Sequence, residues 1–339
     1  MFKMRTIRFF SIVIIIIFMT NCKDMEKRDH FYVEGLPSGL TFSSLHFIND
    51  SVGYLFCTES RDDGFGDSNP IFKTTNGGRN WQIVNSNSCD SYVVSNRIIA
   101  NTAYVYRLLM NLSGEHNYLE CFSFKEDRSI FCKPFDLNRS YLIDVLDNEL
   151  YCIEEKNGNY FLNTYDNSLK PKESFQVMPF AQGVRINENF YVISGDSMGR
   201  NQLFKVNQTN CHRLPLSYYP EIINRHNGKV FLAGTDSEIK NRIVFSIIDA
   251  AKENNEIRSV IDGYTIVRDF IVSEQDVVVV LGKLDGYLVK YDLFHSRDDC
   301  RTWNNISLHD QITVSAVTMV NHLVYIYYCT DEIEIIELE

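Results

Sequence analysis

Short apolar segments separated by polar turns run along most of the chain, and helical periodicity is almost absent. Seven of these segments combine β-branched or aromatic residues and are bounded by asparagine, aspartate or glycine, as strands are. They are Val52–Cys57, Thr102–Leu108, Leu150–Glu154, Phe190–Ile193, Val230–Ala233, Val277–Leu281 and Leu323–Cys329. The pattern predicts an all-β domain over residues 31–339, built from a repeating unit of several strands.

The repeat has the length of a propeller blade. The seven segments recur roughly every 45 residues, and a period of about 40 to 50 residues with several strands is typical of β-propellers. Seven blades are favoured, with six as the alternative. The first strand is expected at Phe31-Tyr32-Val33 and the last at Glu332–Leu338. If these two strands share a blade, the ring closes and no edge strand is exposed.

Two further segments hold the only two tryptophans of the chain, and they have the same layout. The first is Thr-Thr-Asn-Gly-Gly-Arg-Asn-Trp and the second is Ser-Arg-Asp-Asp-Cys-Arg-Thr-Trp. Both resemble the Asp box, or BNR repeat, of sialidase-like β-propellers. The matching residues are Thr74, Asn76, Gly78 and Trp81 in the first box, and Ser296, Asp298, Thr302 and Trp303 in the second. Cys300 replaces the glycine of the second box.

The resemblance implies a structural role for these residues. In an Asp box the aspartate or asparagine accepts backbone N–H groups within a turn between the outer strands of a blade, and the tryptophan packs against that blade. The two boxes are about 220 residues apart, close to five periods, which assigns them to blades 1 and 6. The first repeat, which begins at Phe47 and includes Gly53-Tyr54, also resembles the repeats of photosystem II stability and assembly factors. That resemblance implies an assembly or binding role.

The N-terminus has the layout of an export signal. Lys3, Arg5 and Arg8 precede an apolar run at Phe9–Met19, which is shorter than the roughly 20 residues that span a bilayer. Cys22 follows this run, and the arrangement resembles a bacterial lipoprotein signal. The resemblance implies that residues 1–21 are removed, that Cys22 is lipidated, and that residues 22–30 form a tether. The protein would then be an outer-membrane lipoprotein, periplasmic or surface-exposed. An ordinary cleaved signal and a retained anchor are the alternatives.

The net charge of the chain and the spacing of its cysteines and histidines argue against several classes of function. The net charge of −11 argues against a nucleic-acid partner and against electrostatic adhesion to anionic lipid. The nine cysteines are irregularly spaced without a CxxC pair, and the eight histidines show no ligand spacing, so we expect no metal site and no cofactor. Cys121 and Cys132 flank a predicted hairpin and are a candidate disulfide; the alternative is that both are buried free thiols.

Catalysis by a sialidase requires three arginines around the substrate carboxylate, a tyrosine paired with glutamate, and an aspartate. Arg97, Arg185 and Arg242 are each followed by isoleucine but lack the proline of the family's early signature. We interpret them as charges on strands and assign no catalytic residue. The sequence therefore favours a lipid-anchored, non-catalytic binding or assembly module for a protein or glycan partner in the bacterial envelope. The alternative is a glycan-active enzyme of sialidase-like fold.

Overall fold

The computed structural model describes residues 28–37, 40–59, 70–84, 91–93, 99–100, 104–111, 117–135, 140–146, 149–166, 170–177, 182–195, 198–252 and 254–338. The predicted signal peptide, residues 1–21, and Cys22 lie outside the described residues, as does most of the predicted tether. In the described part of the chain all regular structure is β, arranged as seven antiparallel sheets. None of its segments is a helix long and apolar enough to cross a membrane.

The strands are numbered in chain order, and each sheet is one blade of the propeller. Strand β1 is Arg28–Tyr32. Blade 1 contains β2 to β5, which are Leu40–Phe47, Gly53–Glu59, Ile71–Thr74 and Gln82–Ile83. Blade 2 contains β6 to β10, which are Ser91–Val93, Ile99–Ala100, Tyr104–Asn111, Asn117–Ser123 and Arg128–Phe135. Blade 3 contains β11 to β14, which are Ser140–Leu146, Glu149–Lys156, Asn159–Tyr165 and Pro171–Val177.

The remaining blades follow the same order. Blade 4 contains β15 to β18, which are Gln182–Ile186, Asn189–Gly195, Asn201–Val206 and Cys211–Leu214. Blade 5 contains β19 to β22, which are Tyr218–His226, Lys229–Asp236, Arg242–Asp249 and Asn254–Asp262. Blade 6 contains β23 to β26, which are Ile266–Val272, Val277–Asp285, Leu288–Ser296 and Asn304–Ile306. Blade 7 contains β27 to β29, which are Val314–Val320, Leu323–Tyr328 and Glu332–Glu337, together with β1.

The first strand of each blade lies on the inside of the ring. These first strands contact their counterparts in neighbouring blades, as β2 does with β27 and β15 does with β19. Hydrophobic side chains from adjoining blades fill the space between the sheets; one such cluster joins Phe231 and Phe245 of blade 5 to Val279 of blade 6. The prediction of an all-β propeller with seven blades is confirmed.

The ring closes through its ends. β1 pairs antiparallel with β29, with Arg28 opposite Ile336 and Tyr32 opposite Glu332. The first strand therefore begins at Arg28, three residues before the predicted start at Phe31, and includes the last residues of the predicted tether. Two of its polar side chains have partners on β29, since Arg28 contacts Glu334 and His30 contacts Glu332.

The predicted disulfide between Cys121 and Cys132 is wrong. Cys121 is a free, buried thiol, whereas Cys132 is disulfide-bonded to a different cysteine. A bulge between Ser129 and Phe131 sets the register so that Cys121 faces Phe131 and Cys132 faces Glu120. Because neighbouring residues of a strand point to opposite faces, the one-residue offset separates the two sulfur atoms. Burial raises the pKa of the Cys121 thiol to about 12, as expected for a core thiol.

Candidate functional site

The two segments that resemble Asp boxes form turns between the third and fourth strands of their blades. Thr74–Trp81 joins β4 to β5 in blade 1, and Ser296–Trp303 joins β25 to β26 in blade 6. The turns between the first and second strands open onto the same face of the ring, since antiparallel strands alternate in direction. We call this face the box face.

Side-chain oxygens organise the first turn. The Thr74 hydroxyl oxygen accepts the backbone N–H of Gly78 at 3.0 Å, and Oδ1 of Asn76 accepts that of Asn80 at 3.0 Å. Gly78 has a φ of 93°, a conformation open mainly to glycine. The indole N–H of Trp81 donates to the Gly78 carbonyl at 2.7 Å, and the ring lies buried in the blade. The turn is thus held by its own side chains.

The second turn uses the same positions. The Ser296 hydroxyl oxygen accepts the Cys300 N–H at 3.1 Å, and Oδ1 of Asp298 accepts the N–H groups of Arg301 and Thr302 at 3.0 and 2.9 Å. Partial desolvation would raise the pKa of Asp298, but hydrogen bonds, chiefly from Thr302, outweigh it and lower this pKa to about 2. The carboxylate is therefore charged at neutral pH and accepts all of these bonds.

Cys300 adopts the backbone conformation of the glycine that it replaces. Its φ is 63°, which costs a residue with a Cβ roughly 1 kcal/mol or more. The side chain is only 1% exposed and packs in the core between blades 5 and 6, where Trp303 also contacts Phe245. Burial of the side chain offsets the strain of the turn.

Two adjoining cavities open on the box face. The first, of about 620 Å³, lies between the inner turns of blades 3, 4 and 5. The second, of about 420 Å³, lies between the inner turns of blades 5 and 6 and the second Asp-box-like turn. His226 and Asn227 line both cavities, so we call the pair the blade 3–6 groove. Its charged lining residues are Glu149, Arg185, Arg225, Lys229, Glu274, Arg297 and Asp299.

Contacts with Glu149 organise the first cavity. The Tyr151 hydroxyl donates to Glu149 at 2.6 Å, and an Arg185 guanidinium nitrogen lies 3.3 Å from the same carboxylate. Lys172 also contacts Glu149. Arg225 donates to the Arg185 backbone carbonyl at 2.6 Å, and both arginines line the cavity. Cations from two blades thus meet in one cavity.

The second cavity shares residues with the second turn. Lys229 of blade 5 lies 2.7 Å from Asp299 of blade 6, and Arg297 donates to the buried Asp276 at 3.2 Å. Arg297 and Asp299 stand at the two variable positions of the box on either side of Asp298, so this turn contributes charged groups to the groove. Among the described residues, no group hydrogen-bonds to Nε2 of His226, whose imidazole lies where the two cavities meet.

The arginines required by the sialidase alternative do not converge. Arg97 lies outside the described residues. Arg185 is near the end of β15 and lines the first cavity, whereas Arg242 begins β21 at the opposite face, where it pairs with Asp262. Tyr151 and Glu149 form a tyrosine–glutamate pair, but Tyr151 is fully buried. Within the described part of the chain, the lining of this cavity holds no aspartate and no third arginine.

Sequence reasoning missed the groove, although a signal was present. Arg-Ile-Asn at residues 185–187 and Arg-His-Asn at residues 225–227 occupy equivalent inner turns of successive blades, 40 residues apart. In both turns the asparagine has a positive φ, 55° at Asn187 and 47° at Asn227, which asparagine tolerates better than most residues. An arginine two positions before such an asparagine points to a charged side chain at the rim of a blade.

Comparison of the sequence finds no matching family model and no match among curated proteins. Solved structures do match the fold. The uncharacterised protein lmo1340 from Listeria monocytogenes EGD-e superposes with a TM-score of 0.62 at 9% identity, covering 87% of this chain and 92% of that one. The β-propeller domain of the Trilobed protease from Pyrococcus furiosus, described as having an open velcro topology, gives 0.59 at 11% identity, covering 85% and 91%.

A third structure, YCF48 bound to D1 peptide, gives a TM-score of 0.55 at 14% identity, with 93% of this chain and 96% of that chain covered. At these identities the likeness shows the β-propeller fold alone. The pairing of β1 with β29 gives the present chain a ring closed through its terminal strands.

Proposed function

We propose that this chain is an exported, lipid-anchored β-propeller that binds a protein partner in the bacterial envelope without catalysing a reaction. The blade 3–6 groove carries the proposal. It is a continuous, charged depression assembled from four blades, and loops on a rigid scaffold are a common place for binding residues. YCF48, a propeller of similar fold, is a peptide-bound structure, which supports a peptide segment as the occupant.

The chemistry of the groove favours a peptide over a glycan. The aromatic side chains in its lining are Tyr151 and Phe231, which are 0% and 2% exposed and offer no face on which a sugar ring could stack. Four cations and three carboxylates line the groove, although the whole chain has 33 basic and 44 acidic residues. This local excess of positive charge on an acidic protein suits a segment that carries carboxylates.

A photo-crosslinking side chain at Gln275, in the wall of the second cavity, should capture a partner protein in native membranes. Lys229→Glu should reduce that adduct by about fivefold or more, because it reverses a charge in the groove. Tyr287, fully exposed on the opposite face of the same blade, is the control position for the crosslinker. Lys240→Glu, an exposed lysine on the opposite face of blade 5, is the control substitution.

Equal adducts at positions 275 and 287, or equal loss with both lysine substitutions, would contradict a partner site in the groove. Turnover of a fluorogenic sialoside by the purified chain would support the glycan-active alternative instead.

The lipid anchor is tested separately. Cys22→Ala should abolish incorporation of radioactive palmitate and release the protein from the membrane fraction, because the acyl chains are its proposed means of attachment. Cys211→Ala, at an exposed free thiol, is the matched control and should label normally. Undiminished labelling of the Cys22→Ala protein would rule out this cysteine as the site of lipidation.

A further inference from the structure

Two histidines and a glutamate meet at the closure of the ring, on the outer edge of blade 7. His30 lies on β1, Glu332 begins β29, and His309 lies in the segment between β26 and β27. These residues come from the two ends of the chain and are brought together only because β1 completes blade 7. Neither the blade core nor the groove uses them.

The spacing of their donor atoms fits one metal ion. Nε2 of His30 lies 3.2 Å from Oε2 of Glu332, and Nε2 of His309 lies 4.0 Å from the same oxygen. The three donor atoms all lie within 4.8 Å of one another. Tetrahedral zinc with ligands at 2.0–2.1 Å places donor atoms about 3.4 Å apart. The separation of 4.0 Å is too long for a hydrogen bond, yet an ion between the two atoms spans it.

Hydrogen bonds hold the Glu332 carboxylate and the segment that carries His309. The Glu332 side chain accepts a hydrogen bond from the Thr330 hydroxyl at 3.2 Å and another from Tyr32. Glu334, two residues further along β29, accepts the backbone N–H of His309 at 3.0 Å and so fixes the segment that carries this histidine. The imidazole rings of His30 and His309 lie with centroids 3.8 Å apart. A ligating carboxylate that is itself hydrogen-bonded is typical of metal sites.

We propose that His30, His309 and Glu332 bind a divalent transition-metal ion, with Zn²⁺ as the best fit, and that the ion fastens the closure of the propeller. Imidazole and carboxylate are both zinc ligands, and three protein ligands leave a fourth position for water. β1 has five residues, four of them exposed, so burial of apolar surface contributes little to its attachment. An ion that joins β1 to β29 and to the His309 segment would supply a link that packing does not.

Titration of the untagged chain with zinc chloride, followed by calorimetry, tests this directly. The chain should bind one Zn²⁺ at this site, and His309→Ala should remove that binding or weaken it by at least about tenfold. His309 is half exposed in a loop, so its replacement leaves the sheets intact. His212→Ala, at an exposed histidine of blade 4, is the matched control and should bind zinc as the unaltered chain does.

Two further readouts separate this site from adventitious binding by exposed thiols such as Cys211 and Cys329. Zinc should slow amide hydrogen exchange in Arg28–Tyr32, and this protection should be absent from His309→Ala. Co²⁺ bound in place of Zn²⁺ should give a visible absorption spectrum typical of nitrogen and oxygen ligands. His309→Ala should abolish this spectrum. Equal zinc affinity of the His309→Ala and unaltered chains, or no change in exchange of β1, would overturn the proposal.

Discussion

Arg107→Met should lower the free energy of unfolding by about 3–5 kcal/mol, because it leaves a buried carboxylate without its cation. Arg107 of β8 and Glu120 of β9 are each about 2% exposed, and Nε of Arg107 donates to Glu120 at 2.6 Å. Ser129 donates to the other carboxylate oxygen. The guanidinium also lies over the ring of Phe56, 5.2 Å from its centroid, in the cluster between blades 1 and 2.

Urea denaturation monitored by circular dichroism measures the loss. Arg128→Met is the control in the same blade, because Arg128 pairs with Glu126 at the surface, where such pairs contribute about 0–1 kcal/mol. Arg107→Met combined with Glu120→Gln should recover much of the stability, since the amide oxygen still accepts from Ser129 and no charge remains buried. If Arg107→Met is no more destabilising than Arg128→Met, the buried pair does not contribute as inferred.

The fold was predictable because one strand in each blade has a distinct sequence signature. All seven predicted segments fall on the strand next to the innermost one, for example β12 and β24. In blade 2 this strand is β8, which pairs with both β6 and β7. The seven strands are covered on both faces by neighbouring blades, so they are nearly continuous apolar runs, as Val277–Leu281 shows. Outer strands such as β5 and β18 are short and exposed. The turns that resemble Asp boxes mark the position of β5 and β26 alone among them.

The candidate sites were not predictable in the same way. The groove consists of turns that are close in space only once four blades are stacked, and Glu149, Arg185 and Arg225 lie at or near strand ends in three different blades. The proposed zinc site depends on ring closure, which brings His30 next to a glutamate about 300 positions later in the chain. Ligands that the fold brings together from distant parts of the chain have no fixed spacing along the sequence. A search for ligand spacing in the sequence therefore cannot find them.

Asp276→Asn should also destabilise the protein, by about 2–4 kcal/mol, because a fully buried carboxylate accepts three charge-assisted or imidazole hydrogen bonds. Its oxygens lie 2.7 Å from Nε2 of His295, 2.6 Å from Nδ1 of His322 and 3.2 Å from Nε of Arg297. These bonds tie the inner turn of blade 6 to that of blade 7. They also hold Arg297, which lines the groove, so the same substitution should weaken partner capture at Gln275.

The effect of Asp276 depends on pH with a definite sign. Burial would raise the pKa of this carboxyl, but the hydrogen bonds from His295, His322 and Arg297 outweigh it and hold the pKa below its usual range. A carboxyl whose pKa is lowered by folding stabilises the folded state above its unfolded pKa of about 3.9. That contribution is lost as the pH falls through the folded-state pKa.

Thermal unfolding between pH 3 and pH 7 should therefore show a gap in melting temperature between the unaltered and Asp276→Asn proteins that narrows below about pH 4. Asp285→Asn, at an exposed aspartate of blade 6 paired with Lys290, is the control and should change stability by no more than about 0.5 kcal/mol. A gap that stays constant down to pH 3 would mean that the shape of the side chain, rather than its charge, holds the two turns together. Asp276 would then position Arg297 by packing, and the groove would keep its geometry in acid.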